Sequence, residues 1–229
     1  MIDWHSHILP GVDDGSKNVS ESVTLLNMLS QQGIKTVVAT PHFLANEESA
    51  EQFIARRDEA FGKLNEEFQH ISIEIVLGAE VKYYEGISKL QNISSLCIGK
   101  SKLLLLEMPF TTWTEYTIRE LIEMASSGNV KIVLAHIDRY LSQQKKHVWE
   151  RLYDSGILMQ VNASFFNDLF SRRKAFKMLD EHRIHFLGSD CHNIKTRPPE
   201  IGKAYGNIKK HFGEDFLNQM NDYGYSVLS

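Results

Sequence analysis

Apolar residues along this chain alternate between two patterns: short β-branched or aliphatic runs, and longer stretches with helical spacing. Residues 1–4 read as the end of an opening strand. Residues 20–32 carry Val23, Leu26 and Leu29 at helical spacing and predict a helix that stops at Gly33. Residues 34–39 are short and β-branched, as a buried strand should be, and lead straight into Thr40, Pro41 and His42. Residues 50–69 place Phe53, Ala60, Phe61, Leu64 and Phe68 on one helical face. Further strands are predicted at 71–77, 102–106, 130–135, 156–161 and 184–187. Helices are predicted at 115–126, 148–154 and 172–181, with a helical C-terminal region from Pro198 onward.

Strands regularly separated by helices argue for parallel βαβ units, and no Gly/Pro/Ser-rich linker interrupts the alternation, so residues 1–229 read as one domain. About seven such units fit a (β/α) barrel better than an open doubly wound sheet. The placement of polar residues favours the barrel too. His5, His42, Glu80, Glu107, His136 and Asp190 each fall at the C-terminal end of a predicted strand. Barrel active sites are assembled at that end, from several strands.

Composition narrows the class without changing this picture. With 42% hydrophobic and 24% charged residues over 229 positions, the chain is an ordinary globular protein with enough apolar mass for a full core. A net charge of −4 disfavours a nucleic-acid partner, because no cationic surplus is available to neutralise phosphates. No apolar run approaches the roughly 18 residues that cross a bilayer, so direct membrane insertion is not expected. Asp3 and His5 interrupt what would be the apolar part of a signal peptide. Two cysteines, Cys97 and Cys191, make no disulfide framework, which suits a reducing cytoplasm.

The candidate chemistry lies in histidines and carboxylates. His5 and His7 are two apart, so in an extended segment both imidazoles face the same side; Asp190 and His192 form a second such pair. With Asp14, His42, Glu80, Glu107 and His136 they make nine candidate metal ligands. Five imidazoles and four carboxylates, with no thiolate placed for binding, favour Mn, Fe or catalytic Zn over a structural cysteine site. Nine ligands exceed what one or two ions with bound water would need, so two or three ions are the natural count, with a glutamate such as Glu80 bridging. Asp13 reads as a turn residue. His70, His147, His182, His185 and His211 lie away from the strand ends and read as structural or surface residues. Phe43, Phe110, Trp113 and Phe165 read as core or rim packing, with a wall for an aromatic ring as the alternative. Cys191 and Arg197 also fit the C-x5-R spacing of thiol-dependent phosphatases. The five residues between them lack the glycine that helps backbone amides converge on a phosphate.

Taken in order, H-S-H at 5–7, D-D-G at 13–15, T-P-H-F at 40–43, G-A-E at 78–80, A-H-I-D-R-Y at 135–140 and S-D-C-H-N at 189–193, followed by R-P-P, resemble the PHP (polymerase and histidinol phosphatase) superfamily. Within it the chain most resembles the bacterial manganese-dependent protein-tyrosine phosphatases of capsule and exopolysaccharide synthesis. The resemblance implies a distorted (β/α)7 barrel with three ions. One would be held by His5, His7, Glu80 and Asp190, a second by Glu80, Glu107 and His136, and a third by Asp14, His42 and His192. It implies phosphate contacts for Arg139 and Arg197, a metal-bound hydroxide as nucleophile, and a phosphotyrosine protein as substrate, such as a tyrosine autokinase. The alternatives are a small-molecule phosphomonoesterase such as histidinol phosphatase, a nuclease like the polymerase-associated relatives, or a non-catalytic metal-stabilised interaction protein. Two departures stand out: Asp138 occupies a position where the family pattern has glutamate, and the C-terminus lacks the expected N-P-x-x-aliphatic ending.

Overall fold

The computed structural model describes residues 1–68 and 70–228. Among the described residues, nine short strands and eight α-helices follow one another: β1 (Ile2–Ser6), α1 (Val19–Gln31), β2 (Thr36–Ala39), β3 (His42–Phe43), α2 (Ala50–Glu67), β4 (Glu74–Leu77), β5 (Glu80–Lys82), β6 (Leu103–Glu107) and α3 (Glu115–Ser126). They continue with β7 (Lys131–Leu134), α4 (Lys146–Asp154), β8 (Leu158–Asn162), α5 (Ala163–Asn167), α6 (Arg172–Asp180), β9 (Phe186–Gly188), α7 (Ile201–Phe212) and α8 (Glu214–Leu228). The predicted helix at 50–69 ends at Glu67, and Gln69 lies outside the described residues. Among the described residues no helix is long and apolar enough to cross a membrane.

Every strand pairing is parallel, in the orders β1-β2-β4 and β3-β5-β6-β7-β8-β9. The two sets are continuous through the chain. β2 leads into β3 across Thr40 and Pro41, and β4 leads into β5 across Gly78 and Ala79. Backbone bonds bridge both breaks, from Gly78 N to Ala39 O (2.9 Å) and from Glu80 N to Pro41 O (3.0 Å). The sheet curls until β9 meets β1, where Asp190 N donates to His5 O (2.8 Å) and His7 N to Cys191 O (2.9 Å). The result is a curled parallel sheet with helices packed outside it.

These breaks correct one expectation. His42 and Glu80 do not end long strands; they open two-residue and three-residue ones. Proline has no N–H to donate to a ladder, so the predicted second strand cannot run unbroken into His42.

Both sheet faces are buried, as the continuous apolar runs require. Along β6, Leu104 and Leu106 face the large core shared with the helices, including Leu25, Phe53 and Leu121. Leu103 and Leu105 join Ile2, Trp4, Val38, Val133 and Phe186 in a second cluster, against which Val227 and Leu228 of α8 pack. At roughly 25 cal/mol per Å² of apolar surface, these two layers supply the main driving force for folding. Local signals agree with them: Asn18, Ser49 and Thr114 cap α1, α2 and α3, each accepting a hydrogen bond from a first-turn N–H. Despite its atypical sequence, the C-terminus is docked, with Gly224 close enough to Ile2 and Trp4 that a Cβ there would lie 3.0 Å from Ile2 Cδ1.

Candidate metal centre

The pairing of β1 with the segment after β9 decides the geometry of the mouth. It sets His5 and His7 beside Asp190 and His192, and the rings of His7 and His192 lie 3.9 Å apart between centroids. Asp190 and His136 both adopt left-handed backbone conformations, φ 53° and 31°, which L-residues visit at a cost of roughly 1–3 kcal/mol. Both side chains turn into the cluster at that cost. Two close approaches need glycine: a Cβ on Gly15 would meet His7 O at 2.3 Å, and one on Gly188 would meet His5 Cβ at 2.5 Å.

Glu80 sits at the centre and is buried. Its Oε2 has His42 Nδ1 at 3.0 Å, His5 Nε2 at 3.1 Å and His7 Nε2 at 3.3 Å. Its Oε1 has His136 Nε2 at 2.9 Å, and that nitrogen also lies 3.5 Å from Glu107 Oε1. Asp190 Oδ1 is 3.5 Å from His7 Nε2 and 3.8 Å from His5 Nε2. Further out, Asp14 Oδ1 is 3.5 Å from His42 Nε2 and 3.4 Å from His192 Nε2. All nine ligand candidates from the sequence therefore lie in one cluster. Ligand atoms lie within 4.8 Å of one another in three groups: His5, His7 and Asp190; His42, Glu80 and Glu107; and His7, Asp14, His42 and His192. His42 joins two of these groups, and His136 reaches Glu80 and Glu107 from the other side.

Tautomers follow from the partners. His5 Nδ1 faces Gln160 Oε1 (3.2 Å), an oxygen fixed by accepting from His136 N (2.6 Å) while Gln160 Nε2 donates to Val161 O (2.7 Å). His7 Nδ1 faces Asp13 Oδ2 at 2.7 Å, and His192 Nδ1 faces Asp190 O at 3.0 Å. In each neutral ring Nδ1 is the donor, which leaves a lone pair on Nε2. His5 Nε2 and His7 Nε2 are 3.1 Å apart, so the two lone pairs point at each other beside a carboxylate oxygen. Glu80 Oε2 and His192 Nε2 are also buried without a hydrogen-bond partner. Lone pairs converging on carboxylate oxygens suit a cation, and engaging the far ring nitrogen is the usual support for a histidine ligand.

The electrostatics agree. Burial opposes charge on His7, but the hydrogen bond with Asp13 and the nearby Glu80 carboxylate outweigh it and raise its pKa to about 10. Burial likewise opposes charge on His136, while Glu107 and Glu80 raise it to about 9. Burial would raise the Glu80 carboxyl, yet His5 and the neighbouring histidines hold it well below the carboxylate range. His192 goes the other way, pushed down to about 4 by burial and by His7. A divalent cation would take the place of those protons.

Arg139 and Arg197 both reach Asp190. Arg139 Nη2 pairs with Oδ2, and Arg197 Nη2 lies 2.8 Å from Oδ1. Both guanidiniums are partly exposed at the rim. Asn162, which also donates to Asp190 Oδ2 (2.9 Å), gives its backbone N–H to Asp138 Oδ1 (2.9 Å). Asp138 thus ties the turn bearing Arg139 to β8.

Three supporting residues escape the sequence reading. Asp13 is no mere turn residue: it holds His7 and accepts from His42 N (2.9 Å) and Gly15 N (2.9 Å). Gln160 and Asn162 hold His5 and Asp190. Gln160 had a legible signal, a lone amide within the apolar run at 157–161. The five other histidines lie outside the cluster, with His185 Nδ1 accepting from Met159 N (3.1 Å) and His211 stacked on Phe176. Phe43, Trp113 and Phe165 are core residues as expected, whereas Phe110 is exposed.

The thiol alternative fails on this geometry. Cys191 is buried, and burial with nearby Asp3 pushes its thiol far above its ordinary range. Lys195 N, Thr196 N and Arg197 N all donate to Asn193 Oδ1, so those amides are not free to cradle a phosphate.

A family model described as "Capsular polysaccharide synthesis, CpsB/CapC" matches residues 1–223. The chain belongs to the CpsB/CapC family. It is 32% identical to the tyrosine-protein phosphatase CpsB of Streptococcus agalactiae, over 96% of this chain and 94% of that protein. It is 28% identical to the tyrosine-protein phosphatase YwqE of Bacillus subtilis, over 94% of this chain and 86% of that protein. A crystal structure from work on YwqE and the Streptococcus pneumoniae CpsB, described as unique metal-dependent tyrosine phosphatases, superposes with a TM-score of 0.84 at 24% identity. It covers 100% of this chain and 94% of the other, and establishes the fold. The resemblance carried by the sequence motifs is met at the level of this family.

Proposed function

We propose that this CpsB/CapC-family chain is a metal-dependent protein-tyrosine phosphatase acting in capsule or exopolysaccharide synthesis. The observation that carries the reading is the pair of Nε2 lone pairs on His5 and His7, 3.1 Å apart beside Glu80 Oε2. The relatives named tyrosine-protein phosphatase supply the substrate class.

In this reading His5, His7, Glu80 and Asp190 hold one ion, Glu80, Glu107 and His136 a second, and Asp14, His42 and His192 a third. Manganese is the preferred ion, with iron or zinc compatible with the donors. Bound divalent ions supply Lewis acidity toward phosphoryl oxygens and toward water. The protein's own groups do the rest. Asp13 and Gln160 hold His7 and His5 in the tautomers that present Nε2. Asp190 gathers Arg139 and Arg197 at the rim, where their planar forks can meet the equatorial oxygens of a phosphoryl group.

We read the curled sheet as a distorted (β/α)7 barrel in one domain. The meeting of β9 with β1, and of β2 and β4 with their continuations, supports that reading. The partner is a phosphotyrosine protein such as a tyrosine autokinase, and the compartment the cytoplasm, in keeping with two free thiols.

The test is a substrate panel under Mn²⁺, comparing a phosphotyrosine peptide, a phosphoserine peptide and histidinol phosphate by kcat/KM. Preference for phosphotyrosine is expected. A dominant histidinol phosphatase activity, or none on any phosphoester, overturns the reading.

A further inference from the structure

We infer that Phe110 reads the aromatic ring of the substrate; this rests on the phosphotyrosine phosphatase reading above. Phe110 follows Glu107 by three residues in the loop between β6 and α3. It is 46% exposed, whereas Phe43, Trp113 and Phe165 are buried in the core. Its ring lies nearly parallel to the imidazole of His136, 13° between planes and 5.7 Å between centroids, and meets Tyr140 edge-on at 5.8 Å.

The loop holds this ring in place. Trp113 Nε1 donates to Pro109 O (3.0 Å), Trp113 N to Gln144 Oε1 (3.1 Å), Gln144 Nε2 to Thr111 O (2.7 Å) and Thr112 Oγ1 to Gln143 O (3.2 Å). Pro109 fixes the backbone immediately before it. An apolar ring left half in water gains little for folding, and four hydrogen bonds pin the loop that carries it. One side of the ring rests on His136, and the exposed remainder borders the mouth where Glu107 and His136 converge.

A phosphoryl group entering that mouth carries its ester substituent outward. If the substituent is a phenyl ring, it can pair with Phe110 in the offset or edge-to-face geometry that aromatic rings favour, at centroid distances of about 4.5–7 Å. The short aliphatic stem of phosphoserine has no such face. Phe110 is thus a specificity-determining residue, distinct from the arginines that meet the phosphate.

The experiment uses the Mn²⁺-loaded full chain and two peptides identical except at one side chain. One bears phosphonomethyl-phenylalanine, the other 2-amino-4-phosphonobutyrate, so neither is hydrolysed. Inhibition constants are measured for the wild type, Phe110→Ala, Phe110→Leu and Phe110→Trp, with bound metal quantified for each. In Phe110→Ala and Phe110→Leu, affinity for the aryl peptide is expected to fall about tenfold relative to the alkyl peptide, and Phe110→Trp to keep the preference. An equal loss for both peptides, no loss for either, or loss of bound metal in Phe110→Leu overturns the inference. A wild type that binds and hydrolyses no phosphotyrosine peptide overturns the phosphatase reading itself.

Discussion

Asp13 Oδ2 accepts a hydrogen bond from His7 Nδ1 at 2.7 Å and another from the backbone N–H of His42 at 2.9 Å. One carboxylate therefore fixes the tautomer of a candidate ligand and the position of a second one. Histidine with its charge favoured lies next to it, and despite burial that hydrogen bond holds the Asp13 carboxyl below its ordinary range.

Asp13→Asn keeps the shape but presents a donor or a weaker acceptor to His7. Metal affinity is expected to drop about 10- to 100-fold with thermal stability of the metal-free protein little changed. Competition against a chelator measures it; an unchanged affinity would show that Asp13 does not support the site.

Asp14 is the outermost member, with 68% of its side chain exposed, and it pairs with His42 and His192 rather than with His5. Asp14→Ala is expected to lose one ion and keep the others. A metal count on the variant decides it, and loss of all metal would contradict the separate grouping.

Arg139 and Arg197 share Asp190, so removing one leaves the carboxylate still paired. Arg139→Ala should lower kcat by about 100-fold, the scale seen when one preorganised donor to a developing charge is deleted, with bound metal retained. Full activity in the variant would remove Arg139 from the phosphate site.

At the opposite end of the strands, burial and nearby His182 lower His185 to about 4 from 6.5. The unfolded chain therefore takes up this proton first as pH falls. Stability from His185 is intact above about pH 6.5 and is lost progressively toward pH 4, by at most about 3 kcal/mol. Melting curves with chelator present, for wild type and His185→Gln between pH 7.5 and 4.5, should show a shallower acid dependence in the variant. Parallel slopes would contradict the assignment.

The periodic elements were legible because their signals are local. α3 spans 115–126 as predicted, with an amphipathic face and Thr114 at its start. The strand breaks at Thr40–Pro41 and Gly78–Ala79 were not, since what replaces the ladder there is pairing with β1 and β3 partners distant in sequence. α5 is only five residues long, too short to display a helical period. Most of the ligand set could be read because its members lie at or beside strand ends; Asp14, in the loop before α1, was legible only from the D-D-G motif. Asp13 could not, because its role depends on a loop folding back onto His7.

The most direct measurement follows phosphate release from a phosphotyrosine peptide through chelation and return of Mn²⁺, in the wild type and in Cys191→Ser. Activity should vanish with the metal and return with it, and the variant should behave as the wild type does, because Cys191 is buried with its thiol held protonated. Turnover that survives complete metal removal, or that Cys191→Ser abolishes while its metal stays bound, would contradict a metal-centred phosphatase.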